Sequence, residues 1–177
     1  TLAYTDTLLP PLLLQADELL KHFKYEKNNS YEDAGRYHHK LLITNNNTDR
    51  NFIQAYVRDD RQTIVKSYYF GPSQVNQNSV ILKANEEEQK FSGNNHHFLS
   101  EGHHEIMTLE NEQALAFLNF VSTHHSHRIA VEGKGQNNKS WVYYLNTQEK
   151  DALSKTYQLG WVMKDIKHIE QLQKTAR

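Results

Sequence analysis

Residues 52–73 read Phe52-Ile53-Gln54-Ala55-Tyr56-Val57-Arg58-Asp59-Asp60-Arg61-Gln62-Thr63-Ile64-Val65-Lys66-Ser67-Tyr68-Tyr69-Phe70-Gly71-Pro72-Ser73. Two runs rich in β-branched and aromatic residues, 52–57 and 64–70, flank the polar group Asp59-Asp60-Arg61-Gln62, and Gly71-Pro72-Ser73 closes the second run. Short strands punctuated by such turns point to an antiparallel meander rather than βαβ units. Upstream, 39–44 is a further strand candidate, ended by Asn45-Asn46-Asn47-Thr48-Asp49. Downstream come 80–84, a short 89–91, 104–109, and a hairpin of 128–133 with 139–145 around Lys134-Gly135-Gln136-Asn137-Asn138.

Helical spacing replaces the strand period in three places. Pro10 and Pro11 fit the first turn of an N-terminal helix, where no backbone donor is lost. Leu12, Leu13, Ala16, Leu19, Leu20 and Phe23 then share one face. That helix is expected to end near Asn28-Asn29, before a polar loop over 28–36. A second helix spans 110–123 with Ala114, Leu115, Phe117, Leu118 and Val121 as its apolar face. The tail 147–177 is helical, with Thr147 as its N-cap, and Gly160 is expected to break it in two. The fold class is therefore α+β in one domain, 1–177. Six to eight short strands form antiparallel sheet, a meander or sandwich, with an N-terminal helix, an inserted helix and a C-terminal helical tail.

The chain has 177 residues, a length that suits one domain. Lys+Arg 20 against Asp+Glu 21 gives a net charge of −1, which argues against a nucleic-acid partner. No apolar run of about 18 residues exists to form a transmembrane span. Cysteine is absent, which excludes disulfides, thiol catalysis and thiolate zinc. A start at Thr1 rather than Met fits a processed, exported chain. The expectation is a periplasmic or secreted bacterial protein, or a lipoprotein, with a cytoplasmic protein as the alternative.

Two groups of residues carry candidate chemistry. Eight of the 11 histidines fall in the pairs His38-His39, His96-His97, His103-His104 and His124-His125. Gly102 could fold the segment 96–105 back so that His97, His103 and Glu105 converge as a two-histidine, one-carboxylate set for Zn²⁺ or Fe²⁺. Such a site would leave a position for water and would make the chain a metal-dependent hydrolase. The spacing is not His-Glu-x-x-His, and no Gly-x-Ser-x-Gly elbow or phosphate loop is present. The other reading of these histidines is a solvated, histidine-rich loop, and no other cofactor is indicated. The second group is the aromatic strands. Alternation sends Tyr68 and Phe70 one way and Tyr69 the other, and sets Trp141 and Tyr143 opposite Val142 and Tyr144. Tyr68, Tyr69, Trp141, Tyr143 and Tyr144 are the candidate contact surface for a protein, peptide or envelope ligand. The competing reading is that a helix layer covers them.

Between 110 and 159 a short helix (Ala114-Leu115-Ala116-Phe117-Leu118-Asn119-Phe120-Val121) leads to a basic strand start (His127-Arg128-Ile129-Ala130-Val131). An aromatic partner strand ending at Leu145-Asn146 and a helix with Ala152-Leu153 follow. This order resembles the C-terminal half of small secreted bacterial proteins of the invasion-associated locus B family. The resemblance implies an exported, non-enzymatic, β-sandwich-like protein and carries over no catalytic residue. The leading expectation is thus a non-enzymatic exported binding protein. The metal-dependent hydrolase and a cytosolic effector or immunity-type interaction protein are the alternatives.

Overall fold

The computed structural model describes residues 2–27, 35–42 and 49–176. In chain order the elements are α1 (Leu2–Leu20), β1 (Phe23–Glu26), β2 (Arg36–His39), β3 (Phe52–Arg58), β4 (Thr63–Gly71), β5 (Ser79–Ala84), β6 (Glu87–Phe91), β7 (Asn94–Leu99), β8 (His103–Glu110), α2 (Asn111–Thr123), β9 (Ala130–Lys134), β10 (Ser140–Tyr144) and α3 (Thr147–Thr175). The hairpin of 52–73 sits in the middle of the larger sheet, with Phe52 opposite Tyr68 and Val57 opposite Thr63. That sheet has six strands in the order β1-β2-β3-β4-β8-β7, and a second sheet has four in the order β10-β9-β5-β6. Neighbouring strands are antiparallel in both. The fold is α+β.

Helix α2 joins the two sheets. Its spacing puts Ala114, Phe117, Leu118 and Val121 on one stripe, and each is 0% exposed. The cluster they enter takes Ile53, Val65 and Leu109 from the larger sheet and Val80, Leu82 and Val131 from the smaller. Phe117 packs its ring 5.4 Å from Phe91 of β6. A second apolar cluster lies where α1 and α3 meet the larger sheet: Ala16, Leu19, Phe23, Val57, Leu159, Val162 and Ile166.

Several boundaries differ from the sequence expectation, each for a physical reason. Helix α1 does not start at Pro10; both prolines lie inside it. They deprive the carbonyls of Asp6 and Thr7 of their i+4 donors, and contacts with α3 hold the preceding turns in place. Thr5 is buried, and the Asp6 carboxylate accepts a hydrogen bond from Gln173 at 2.7 Å. The helix ends at Leu20 rather than near residue 28, and Phe23–Glu26 is a strand. Its pairing with β2 places Phe23 opposite His39. The strand expected at 39–44 is Arg36–His39 instead, and residues 43–48 lie outside the described residues, as do 28–34 of the expected polar loop. Among the described residues ten strands form rather than six to eight, because β1 and β7 are short and polar and show no alternation of their own.

Helix α3 runs unbroken through Gly160. A Cβ there would lie 2.6 Å from Thr63 Oγ1 and 2.9 Å from a Leu115 methyl, so this glycine is a point of close packing, not a helix break. The N-cap is Asn146 rather than Thr147. Its side chain accepts from the Glu149 N–H at 2.8 Å, and the Glu149 carboxylate accepts from the Asn146 N–H at 2.8 Å, a full capping box.

Because the α2 stripe holds both sheets, truncating it leaves a cavity that neither sheet can close alone. Phe117→Ala is expected to cost about 3–5 kcal/mol, and Leu118→Ala about 2–5 kcal/mol. Urea denaturation measures both; a loss below about 1 kcal/mol for Phe117→Ala would contradict this packing.

Candidate functional site

The aromatic strands divide as alternation requires, and a second layer covers the inward side. Tyr69 of β4 and Trp141 of β10 stack across the gap between the sheets, ring centroids 5.9 Å apart. Trp141 donates from Nε1 to Gln77 Oε1 at 3.3 Å, and the Tyr69 hydroxyl donates to the Ser73 carbonyl at 2.9 Å. Gly133 makes room for the indole, since a Cβ there would fall 2.1 Å from Nε1. Tyr68 points to the other face of β4. It stacks on Phe52 at 4.2 Å and donates to Gln54 Oε1 at 3.2 Å; burial pushes its phenol up to about 12. Tyr143 is half-buried and donates to the Glu149 carboxylate at 3.0 Å; burial and that carboxylate both push its phenol up. Of the five candidates Tyr144 is the exposed one, at 49%, with the Arg128 guanidinium 3.7 Å from its ring centre.

The histidine segment forms the β7–β8 hairpin, not a loop. Its register puts His97 opposite Glu105 and Leu99 opposite His103, so all four lie on one face. His97 Nε2 and His103 Nδ1 come within 3.0 Å. Glu105 is turned elsewhere. It is 0% exposed, and its carboxylate accepts from the Val75 N–H at 2.7 Å, the Gln77 N–H at 2.8 Å and the Asn95 side-chain amide at 2.9 Å. The two histidines therefore meet, and the carboxylate does not join them. Among the described residues no group of three or more His, Asp or Glu side chains is arranged to hold a metal ion. His104 packs flat on Phe98 at 4.6 Å and donates to the Ser100 carbonyl, on the face opposite the His97–His103 pair.

Other histidines pair with acids or pack in the core. His38 contacts Glu26 at 2.9 Å, His124 contacts Glu87 at 3.1 Å, and His125 pairs with Asp151. His39 is buried edge-on against Phe23, and its Nδ1 accepts from the Leu41 N–H at 3.1 Å. Burial, and then the neighbouring charges of His22 and Lys155, lower it from 6.5 to about 4.

A third feature was not visible as a site in the sequence. Helices α1 and α3 lie antiparallel, Asp6 near Gln173 and Leu19 near Leu159, and leave a groove of about 520 Å³ between them. Tyr4, Leu8 and Pro11 form one wall; His168, Ile169 and Leu172 form the other. At 100° per residue, Leu14, Pro11, Tyr4 and Leu8 make one continuous arc of α1. Tyr4 is 70% exposed, Leu14 65% and Leu8 37%. On α3, Trp161, Asp165, His168 and Leu172 form a stripe at spacings of four, three and four, with Leu172 45% exposed. The sequence signal was present: Leu12-Leu13-Leu14 covers about 200° of a helix, too much for one buried face.

Two outcomes follow from this geometry. Glu105→Gln offers one acceptor oxygen to three donors, so it should cost about 1–3 kcal/mol in chemical denaturation; an unchanged midpoint would mean that the three donors are satisfied in some other way. The His39 shift predicts the pH course of stability. Above about 6.5 the ring is neutral in both states. As pH falls from 6.5 toward 4 the unfolded chain takes the proton first, so stability falls over that window. Asn keeps an acceptor for the Leu41 N–H without titrating. Between pH 7 and 5, His39→Asn should lose less stability than wild type, measured by urea denaturation at both values; parallel losses would remove His39 as the cause.

No family model, no curated protein and no solved structure matches the chain, so its function is read from the groove, the aromatic strands and the histidine hairpin themselves.

Proposed function

We propose that the chain is a non-enzymatic binding protein that takes an apolar, helical segment of a protein partner in the groove between α1 and α3. The observation that carries this is the exposed set Tyr4, Leu8 and Pro11, which lines the groove opposite His168 and Leu172 of the neighbouring helix. Contiguous apolar surface of this kind marks an interaction site rather than ordinary exposure. On α1 the groove runs from Tyr4 to Leu12, about 12 Å of helix, which matches just over two turns of a ligand helix laid along the pair. Asp165 lines the groove, and Asp6 lies at its end against Gln173. These carboxylates favour a segment with an apolar face and a basic flank.

The proposal keeps the bacterial, exported setting expected from the sequence, and a leader ahead of Thr1 in the coding sequence would support it. It leaves the hydrolase as the weaker reading. That reading needs Glu105 as a ligand, and the Glu105 carboxylate accepts three hydrogen bonds from groups outside the histidine pair.

Helical peptides selected from a displayed library on the full chain test the groove. They should be amphipathic with a basic flank, and Leu8→Asp with Leu172→Asp should weaken them by at least about tenfold, roughly 1.4 kcal/mol. Val142→Asp, on the exposed side of β10, should leave them unchanged. Equal binding by the groove variant and wild type would overturn the proposal. So would sedimentation showing that two copies of the chain associate through the groove.

A further inference from the structure

The geometry points to a two-histidine copper(II) site at His97 and His103, beside the turn of the β7–β8 hairpin and separate from the groove. Both rings are half-buried. Their planes differ by only 20°, with centroids 5.2 Å apart and Nε2 of His97 3.0 Å from Nδ1 of His103. The two nitrogens thus face each other across one shared proton. In the neutral pair one nitrogen donates and the other accepts. A metal receives both lone pairs once the donor ring carries its proton on its other nitrogen, a tautomer shift made through water, and each ring turns to aim at a common point.

The donor set, two neutral imidazole nitrogens already brought within 3.0 Å of each other, selects among metals. Imidazole suits Cu²⁺, Ni²⁺ and Zn²⁺, and Cu²⁺ is the tightest of the three by the usual order. Copper(II) is therefore the best match among them.

The hairpin fixes the pair. Leu99 lies opposite His103 and His97 opposite Glu105, so the histidines are diagonal neighbours on one face. Glu105 acts as a positioning residue. Through the Asn95 side chain it ties β7 to β8, two residues from His97. His96 and His104 alternate to the other face, where His104 is engaged by Phe98 and Ser100. Two protein ligands leave the remaining equatorial positions to water or to a donor from outside the chain.

Copper(II) added to tag-free full-length chain at pH 7.5 tests the site by calorimetry and electron paramagnetic resonance. One equivalent should bind first and show hyperfine coupling to two imidazole nitrogens. His97→Ala and His103→Ala should each weaken that step by at least about tenfold, since even an outer partner of a metal ligand typically costs 10–100-fold. His96→Ala and His125→Ala should leave it unchanged, and Zn²⁺ should bind more weakly than Cu²⁺. Thermal melts establish that each variant is folded; if an alanine variant is not, His97→Phe, which keeps a ring in place, replaces it. Equal affinity and equal spectra for wild type and both pair variants would overturn the site, as would a first equivalent coupled to a single nitrogen.

Discussion

A carboxylate with no exposed surface sits where the chain passes from one sheet to the other. Glu105 of β8 accepts from the backbone N–H groups of Val75 and Gln77, in the segment that carries β4 into β5. Irregular backbone buried in this way must find partners, and a buried carboxylate without donors is costly. Each solves the problem of the other. Gln77 extends the network, giving its amide N–H to Asn95 Oδ1 at 3.0 Å and taking the Trp141 indole N–H at 3.3 Å. Asn95, Glu105, Gln77 and Trp141 thus run as one hydrogen-bonded chain from an edge strand of the larger sheet to an edge strand of the smaller. That chain holds the two layers at the spacing α2 fills, and it pins β7 at the register that brings His97 to His103.

Much of the fold was legible because burial and periodicity agree. The strands at 52–58, 63–71 and 79–84 are almost wholly buried, and helix α2 shows one apolar stripe that matches its buried residues. The misread places are those where tertiary contacts override local preference. Pro10 and Pro11 are poor residues for a helix interior, yet the packing of α1 on α3 carries the helix back to Leu2. Gly160 reads as a breaker, but its missing side chain is what lets α3 approach Thr63 and Leu115. Strands β1 and β7 hold mostly polar residues at the sheet edges, and cross-strand pairing alone makes them strands.

The candidate sites were legible in a more uneven way. Alternation correctly placed Tyr68 against Tyr69 and Trp141 against Tyr144, but no local pattern could say that a second sheet lies over Tyr69 and Trp141. The convergence of His97 and His103 was expected from a loop folded at Gly102, and it arises from strand register in a hairpin. Glu105 shares their face, and its removal to the crossover depends on Val75 and Gln77, some thirty residues earlier in the chain. The groove was hidden for the opposite reason. A leucine-rich helix reads as core, and only the antiparallel placement of α3 shows which arc of it stays exposed.

The interior and the surface of this molecule follow different rules. Inside, Glu105, Gln77, Trp141, Tyr69 and Tyr68 all have named partners, so their chemistry is accounted for by folding. Outside, Leu14 at 65% exposure and Tyr4 at 70% contribute little of the burial that stabilises a core. Their exposure gains the fold nothing. The same argument applies to His97 and His103. A neutral hydrogen bond at a half-exposed edge contributes about 1 kcal/mol at most, since water competes for both nitrogens. The apolar arc and the imidazole pair are thus two surface features that the stability of the fold does not require.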